Sequence, residues 1–138
     1  MKNRVFAMQD HEIPLAKELI GLAMKVHRTL GCGFSETVYR NALVIELRKA
    51  QVPFEVHQTL SVKYEGEEVG VFQADLIVDK RLIVEPKAVD SLCTAYSAQL
   101  VNYLKATGLD YGLLLNFGST KLEFKTKSRN YPPPNLHS

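Results

Sequence analysis

Between residues 12 and 30 apolar groups recur at Leu15, Leu19, Ala23, Val26 and Leu30, the spacing of one helix face. Pro14 fits the first turn, and Gly31 and Gly33 stop the helix in a short GCG turn. Ser35 is a good N-cap for a second helix that reaches Ala50 and ends at Gln51-Val52-Pro53. The period then changes to two. Phe54, Val56, Leu60, Val62 and Tyr64 alternate with polar residues, which predicts a half-buried strand. Residues 65–68 turn the chain into a strand from Val69 to Val78. Asp79-Lys80-Arg81 makes another turn, and a third strand runs from Leu82 to Val89. A helix is predicted from Ser91 to Thr107 with Gly108 at its C-cap position. Tyr111 to Phe117 reads as a short buried strand, and Gly118-Ser119 turns into a last strand, Lys121 to Thr126. The order α-α-β-β-β-α-β-β predicts an α/β fold, a mixed sheet flanked by helices that opens with an antiparallel meander. The helix between the third and fourth strands implies a parallel pair there.

The chain has 138 residues, a length that suggests a single domain. That domain is expected over residues 1–131, with a disordered tail over 132–138. Apolar stretches are far shorter than the roughly 20 residues that span a bilayer, so no membrane role is expected. The first residues lack the apolar core of a signal peptide, and the expected location is the cytoplasm. Cys32 and Cys93 have no metal-type spacing; in a reducing compartment they read as small buried hydrophobes. The net charge of +2 permits nucleic-acid binding without arguing for it. Lys121, Lys125, Lys127 and Arg129 cluster against Glu123, as a solvated edge strand or as a rim contacting phosphates.

The chemistry concentrates where the buried strands break for charge. Glu85 and Lys87 are two apart and share a strand face. A turn at 79–81 sets Val78 opposite Leu82 and therefore Asp75 opposite Glu85. Facing carboxylates repel, and a divalent cation between them makes the pairing favourable. A nearby lysine then suits phosphodiester cleavage by positioning water or offsetting charge. The plainer alternative has Lys87 forming an ion pair with Asp75 or Glu85 on a solvated face. Pro86, between them, removes one N–H from the sheet and implies a missing ladder bond, a bulge or a local edge.

The second helix adds context. Gly33, Glu36 and Tyr39 form the pattern G-x-x-E-x-x-Y, and later Gln99 and Tyr103 lie four apart on one helix face. With the blocks VHRTLGCGFSETVYRNAL, ADLIVDKRLIVEPKAV and QLVNYLKATGLDYGLLLNFG, the chain from Ile20 to Phe124 resembles the bacterial GxxExxY proteins of the PD-(D/E)XK nuclease superfamily. The resemblance implies a restriction-endonuclease-like fold and a Mg²⁺- or Mn²⁺-dependent hydrolase. It implies Asp75 and Glu85 as metal ligands, Lys87 as the catalytic lysine and Glu36 as the helix-borne acid beside the metal. Gln99 would be the polar residue of the later helix, and the Pro86 carbonyl a backbone ligand. Tyr39 and Tyr103 look like site-lining or packing residues. Pro86 departs from the aliphatic residue usual at its position. His27 is a buried, hydrogen-bonded structural histidine or a further metal ligand near Glu36, as in some nucleases of this superfamily. The implied function is a nuclease cleaving phosphodiester bonds in DNA or RNA. The alternative is a catalytically degenerate module of the same fold that binds nucleic acid or protein. Homodimerisation is a further possibility, through the hairpin around Glu65-Gly66-Glu67 or through the last strand.

Overall fold

The structure, a computed structural model, describes residues 13–129. Helices α1 (Pro14–Leu30) and α2 (Glu36–Lys49) precede strands β1 (Phe54–Tyr64), β2 (Glu67–Val78) and β3 (Leu82–Lys87). Helix α3 (Thr94–Thr107) then leads to β4 (Tyr111–Asn116) and β5 (Glu123–Ser128). The five strands form one sheet in the order β1-β2-β3-β4-β5. The first three make an antiparallel meander, β3 and β4 run parallel across α3, and β5 returns antiparallel. Element order, meander and parallel pair match the sequence reading.

Each layer follows from its pattern. Pro14 opens α1 after Ile13, and Gly31 closes it at φ 71°, a left-handed position that favours glycine. The α1 stripe of Leu15, Leu19, Ala23 and Val26 is buried, as are Tyr39, Leu43 and Leu47 of α2. Both helices pack on one face of the sheet, against Leu76, Val78, Leu82, Val84, Leu113 and Leu115. The other face is covered by α3, whose Leu100 and Leu104 pack on Ile77, Ile83 and Leu114. A Cβ on Gly112 would come within 2.7 Å of the Leu100 side chain, so the absent side chain lets α3 approach β4 closely.

Several expectations need correction. Strand β3 ends at Lys87 rather than Val89, α3 begins at Thr94 rather than Ser91, and β5 covers 123–128 rather than 121–126. The first hairpin turn is tighter than predicted. Glu65 and Gly66 both take positive φ, the two-residue geometry whose twist matches its flanking strands, so β2 starts at Glu67. The alternation read along β1 also fails: Val56 is 42% and Tyr64 66% exposed. His57 takes φ 53°, and the register with β2 slips between Val62 and Lys63. Phe54 packs with the α1/α2 core, yet Leu60 packs with the α3 core. Cys32 and Cys93 are exposed, not buried, because one sits in the GCG turn and the other caps α3. The basic cluster around residues 121–129 does lie on the edge strand. Among the described residues, no helix is long and apolar enough to cross a membrane. The predicted tail, 132–138, lies outside the described residues.

Candidate metal and phosphodiester site

Strand β3 alternates between the two cores. Leu82 and Val84 face α1 and α2, whereas Ile83 faces α3, so by strand alternation Glu85 and Lys87 face α3 as well. The β2–β3 ladder pairs Val78 with Leu82, Ile77 with Ile83 and Leu76 with Val84, and then stops. The next opposed positions are Asp75 and Glu85, as the turn at 79–81 predicts. In place of a ladder bond, the Asp75 N–H donates to Glu85 Oε2 at 3.2 Å.

Glu85 is only 6% exposed, and it shares the status of a buried polar residue with Asn116. Its carboxyl is pushed up to about 8, first by burial, then by the Asp75 charge and a hydrogen bond with the Asp75 side chain; the Asp75 N–H and the Lys87 charge act the other way. Burial beside a second carboxyl thus favours the protonated form of Glu85 when no cation is bound.

Lys87 is half-buried, and its Nζ lies 4.6 Å from the centroid of the Tyr96 ring on α3. The ion pairs among the described residues involve other lysines and arginines, so the simple pairing of Lys87 with Asp75 or Glu85 does not form. Tyr103, two turns along α3 from Tyr96, stacks on Phe72 at 3.9 Å and 10°. Burial, then the charges of Glu85 and Asp75, raise its hydroxyl above the usual range, which keeps it a proton donor. Gln99 lies between the two tyrosines in sequence, exposed on α3.

Pro86 does less damage than its position suggests. The Phe117 N–H donates to the Lys87 carbonyl at 2.8 Å, which turns that carbonyl toward β4. By alternation the Pro86 backbone edge turns toward β2, where the ladder has already ended. The proline therefore occupies a local edge, and its carbonyl faces the side on which Asp75 lies.

Other predicted residues lie apart from this pair. Tyr39 is fully buried; its hydroxyl donates to the Gly31 carbonyl at 2.5 Å and accepts from the Phe34 N–H at 3.2 Å. Its ring stacks on Phe117 at 4.6 Å. The tyrosine of G-x-x-E-x-x-Y thus locks the glycine turn, with Gly33 at φ 117°. Glu36 is exposed in the first turn of α2. His27 Nε2 lies 2.9 Å from the Ser119 carbonyl; a carbonyl only accepts, so that nitrogen carries the proton. Among the described residues no three His, Cys, Asp or Glu side chains are grouped to hold a metal ion. Asp75 and Glu85 are brought together; Glu36 and His27 do not join them.

Sequence reasoning missed the support for the Lys87 end. Asn116, opposite Lys87 in the parallel ladder, is fully buried. Its Oδ1 accepts from the Val89 and Gly118 N–H groups at 3.0 Å, and its Nδ2 donates to the Val89 carbonyl at 3.0 Å and Glu123 Oε1 at 2.8 Å. The Leu92 N–H also donates to Glu123 Oε1, and these two donors hold the Glu123 carboxyl below its usual range. The loop leaving the site is pinned at both ends by this pair. The available signal was a lone asparagine inside the apolar run Tyr111–Phe117.

Comparison with known proteins agrees with this architecture. The family model of the PD-(D/E)XK nuclease superfamily matches residues 14–127. No curated protein matches the sequence. Among solved structures, a crystal structure of the protein designated SSO0001 superposes with TM-score 0.57 at 15% identity. The match covers 73% of this chain and 54% of that one, so the chain spans about half the length of the solved protein. At that identity the likeness concerns the fold, a restriction-endonuclease-like α/β arrangement.

Proposed function

The chain belongs to the PD-(D/E)XK nuclease superfamily, and from that membership we propose that it is a Mg²⁺- or Mn²⁺-dependent nuclease hydrolysing phosphodiester bonds in DNA or RNA. The observation that carries this reading is the carboxyl pair where the β2–β3 ladder stops, with Glu85 buried against Asp75. The donors there are hard oxygens: two carboxyls and the Pro86 carbonyl on the same side. That set fits a small divalent cation, which takes one or two carboxylates and completes its shell with water and substrate oxygens. When bound, such a cation polarises the phosphoryl group and acidifies water.

The chain's own side chains do the rest. Asp75 and Glu85 hold the cation. Lys87 orients the attacking water, and its charge offsets the charge that grows on the phosphate. The Tyr96 ring supports the lysine amine by a cation–π contact, which keeps it from collapsing onto the carboxylates. Gln99 and the protonated Tyr103 hydroxyl donate to substrate oxygens from α3. Glu36 acts through a bridging water, since among the described residues no third carboxylate is grouped with the pair. His27 and Tyr39 hold backbone instead.

That no third acidic group joins the pair among the described residues favours a second reading, a catalytically degenerate module of this fold. One experiment separates the two. Wild type and Lys87→Ala are incubated with Mn²⁺ and a panel of supercoiled plasmid, single-stranded DNA, a four-way junction and structured RNA. Cutting by wild type and a loss of at least about 100-fold in the variant are expected for a residue stabilising the transition state. Equal cutting by both, or none by either, contradicts the nuclease reading.

A further inference from the structure

We infer that the cleft between the C-terminal end of α1 and residues 120–122 binds a single-stranded segment of nucleic acid, with phosphates on Arg28 and Lys121 and bases on Met24 and Leu122. The inference deepens the nuclease reading and rests on it for the occupant. The cleft is open, about 650 Å³, and lined by those four residues together with His27, Gly31, Cys32 and Thr120. No carboxylate lines it. The ion pairs among the described residues include neither Arg28 nor Lys121. The neighbouring Lys25 is instead committed to Glu46 at 3.0 Å. Three other cavities each include an acidic side chain, Glu55 in two of them and Glu46 in the third, and would repel a phosphate.

Position ties the cleft to the chemistry. Lys87 pairs with Asn116 at the end of β4, and the Phe117 N–H bonds the Lys87 carbonyl. His27 then holds the Ser119 carbonyl, and Thr120 and Lys121 form the cleft wall. From Lys87 the path is one strand spacing of about 4.8 Å and five residues of at most about 3.5 Å each. That contour sets roughly 22 Å as the upper limit on the distance from Lys87 to the wall, which lies on the α1 side of the sheet whereas Lys87 faces α3. His27 becomes a positioning residue for this wall rather than a metal ligand.

The apolar part of the lining selects the form of the nucleic acid. Met24 is 44% exposed, and with Leu122 it offers a floor that a duplex, with its bases turned inward, cannot use. An unpaired strand lays base faces there while its backbone tracks the cations.

The test is fluorescence anisotropy in EDTA with fluorescein-labelled single-stranded DNA, the same sequence as RNA, and the annealed duplex. Wild type is compared with Arg28→Gln/Lys121→Gln and with Arg28→Lys, all at surface positions. The double variant should bind either single strand at least about 10-fold more weakly, and its plot of log K against log salt should flatten by about 1.4, two phosphates at about 0.7 each. Arg28→Lys should retain most of the binding, and the double variant should raise KM with kcat unchanged. Wild-type affinity and slope in the double variant overturn the inference, as does an equal loss on the duplex or no binding by wild type. If the double variant cuts as wild type does, the cleft assignment falls and the nuclease reading stands. If binding depends on the cleft but no substrate is cut, the nuclease reading falls and the cleft assignment stands.

Discussion

On the face of the sheet covered by α1 and α2, Leu76, Val78, Leu82, Val84, Leu113 and Leu115 meet Leu19, Leu43 and Leu47, all buried. On the face covered by α3, the same strand β3 passes from Ile83 to Glu85 to Lys87, and the buried cluster is smaller, formed by Ala74, Ile77, Ile83, Leu100, Leu104 and Leu114. A two-residue period lets one strand serve both faces: apolar positions consolidate one side, while the alternate ones bring charge to the other. The unfavourable elements gather on the α3 side, namely a buried carboxyl, a facing carboxylate and a broken ladder. Such local violations of folding rules are expected where chemistry is placed.

The comparison can be broken most severely in the cores. Leu43→Ala, on the α1/α2 side, should cost about 3–5 kcal/mol, and Leu104→Ala, on the thinner α3 side, about 2–3 kcal/mol, because a less enclosed site relaxes more readily. Urea denaturation of the two variants checks the order. Asn116→Ala comes next. It leaves the Val89 and Gly118 N–H groups without their acceptor and should cost about 2–3 kcal/mol. It should also lower kcat more than it raises KM, because the strand end bearing Lys87 loses its anchor; steady-state kinetics on any cleaved substrate reads this. Smallest is Asp75→Asn, which removes one of two facing carboxyls. It should raise the stability of the metal-free protein by about 1 kcal/mol while weakening cation binding. A melt that shows clear destabilisation contradicts the facing-carboxyl geometry.

Much of this organisation was legible in the sequence because it depends on local rules. The α1 stripe, the proline and glycine at its ends, and the turn at 79–81 set the elements and the register that puts Asp75 beside Glu85. What was not legible depends on contacts between distant segments. Strand β1 packs Phe54 on the α1/α2 core and Leu60 on the α3 core, with a positive φ at His57 between them, and no composition signal announces it. Glu36 and Tyr39 share one motif, yet the tyrosine turns inward to Gly31 and Phe117 while the glutamate stays exposed. Spacing placed them on one helix without saying which was structural. Asn116 acts through partners 27 and 7 residues away, a separation that periodicity does not see.

The Asp75–Glu85 pair, proposed above as a cation site, carries a cost that the metal-free fold bears. Glu85, at about 8, sits above its ordinary value of 4.5, so the folded state binds more protons than the unfolded state between those values. The contribution of Glu85 to the stability of the metal-free protein should therefore be greatest below about pH 4.5 and should fall as pH rises toward 8. A cation would replace the proton on Glu85, so its stabilising effect should grow over the same interval. The direct measurement is thermal unfolding of wild type and Glu85→Gln at pH 5 and pH 8, each with EDTA and with Mn²⁺. Mn²⁺ should raise the wild-type Tm at pH 8, raise it far less at pH 5, and leave Glu85→Gln nearly unmoved. A shift that is equal in both proteins, or absent in wild type at pH 8, contradicts the proposed cation site.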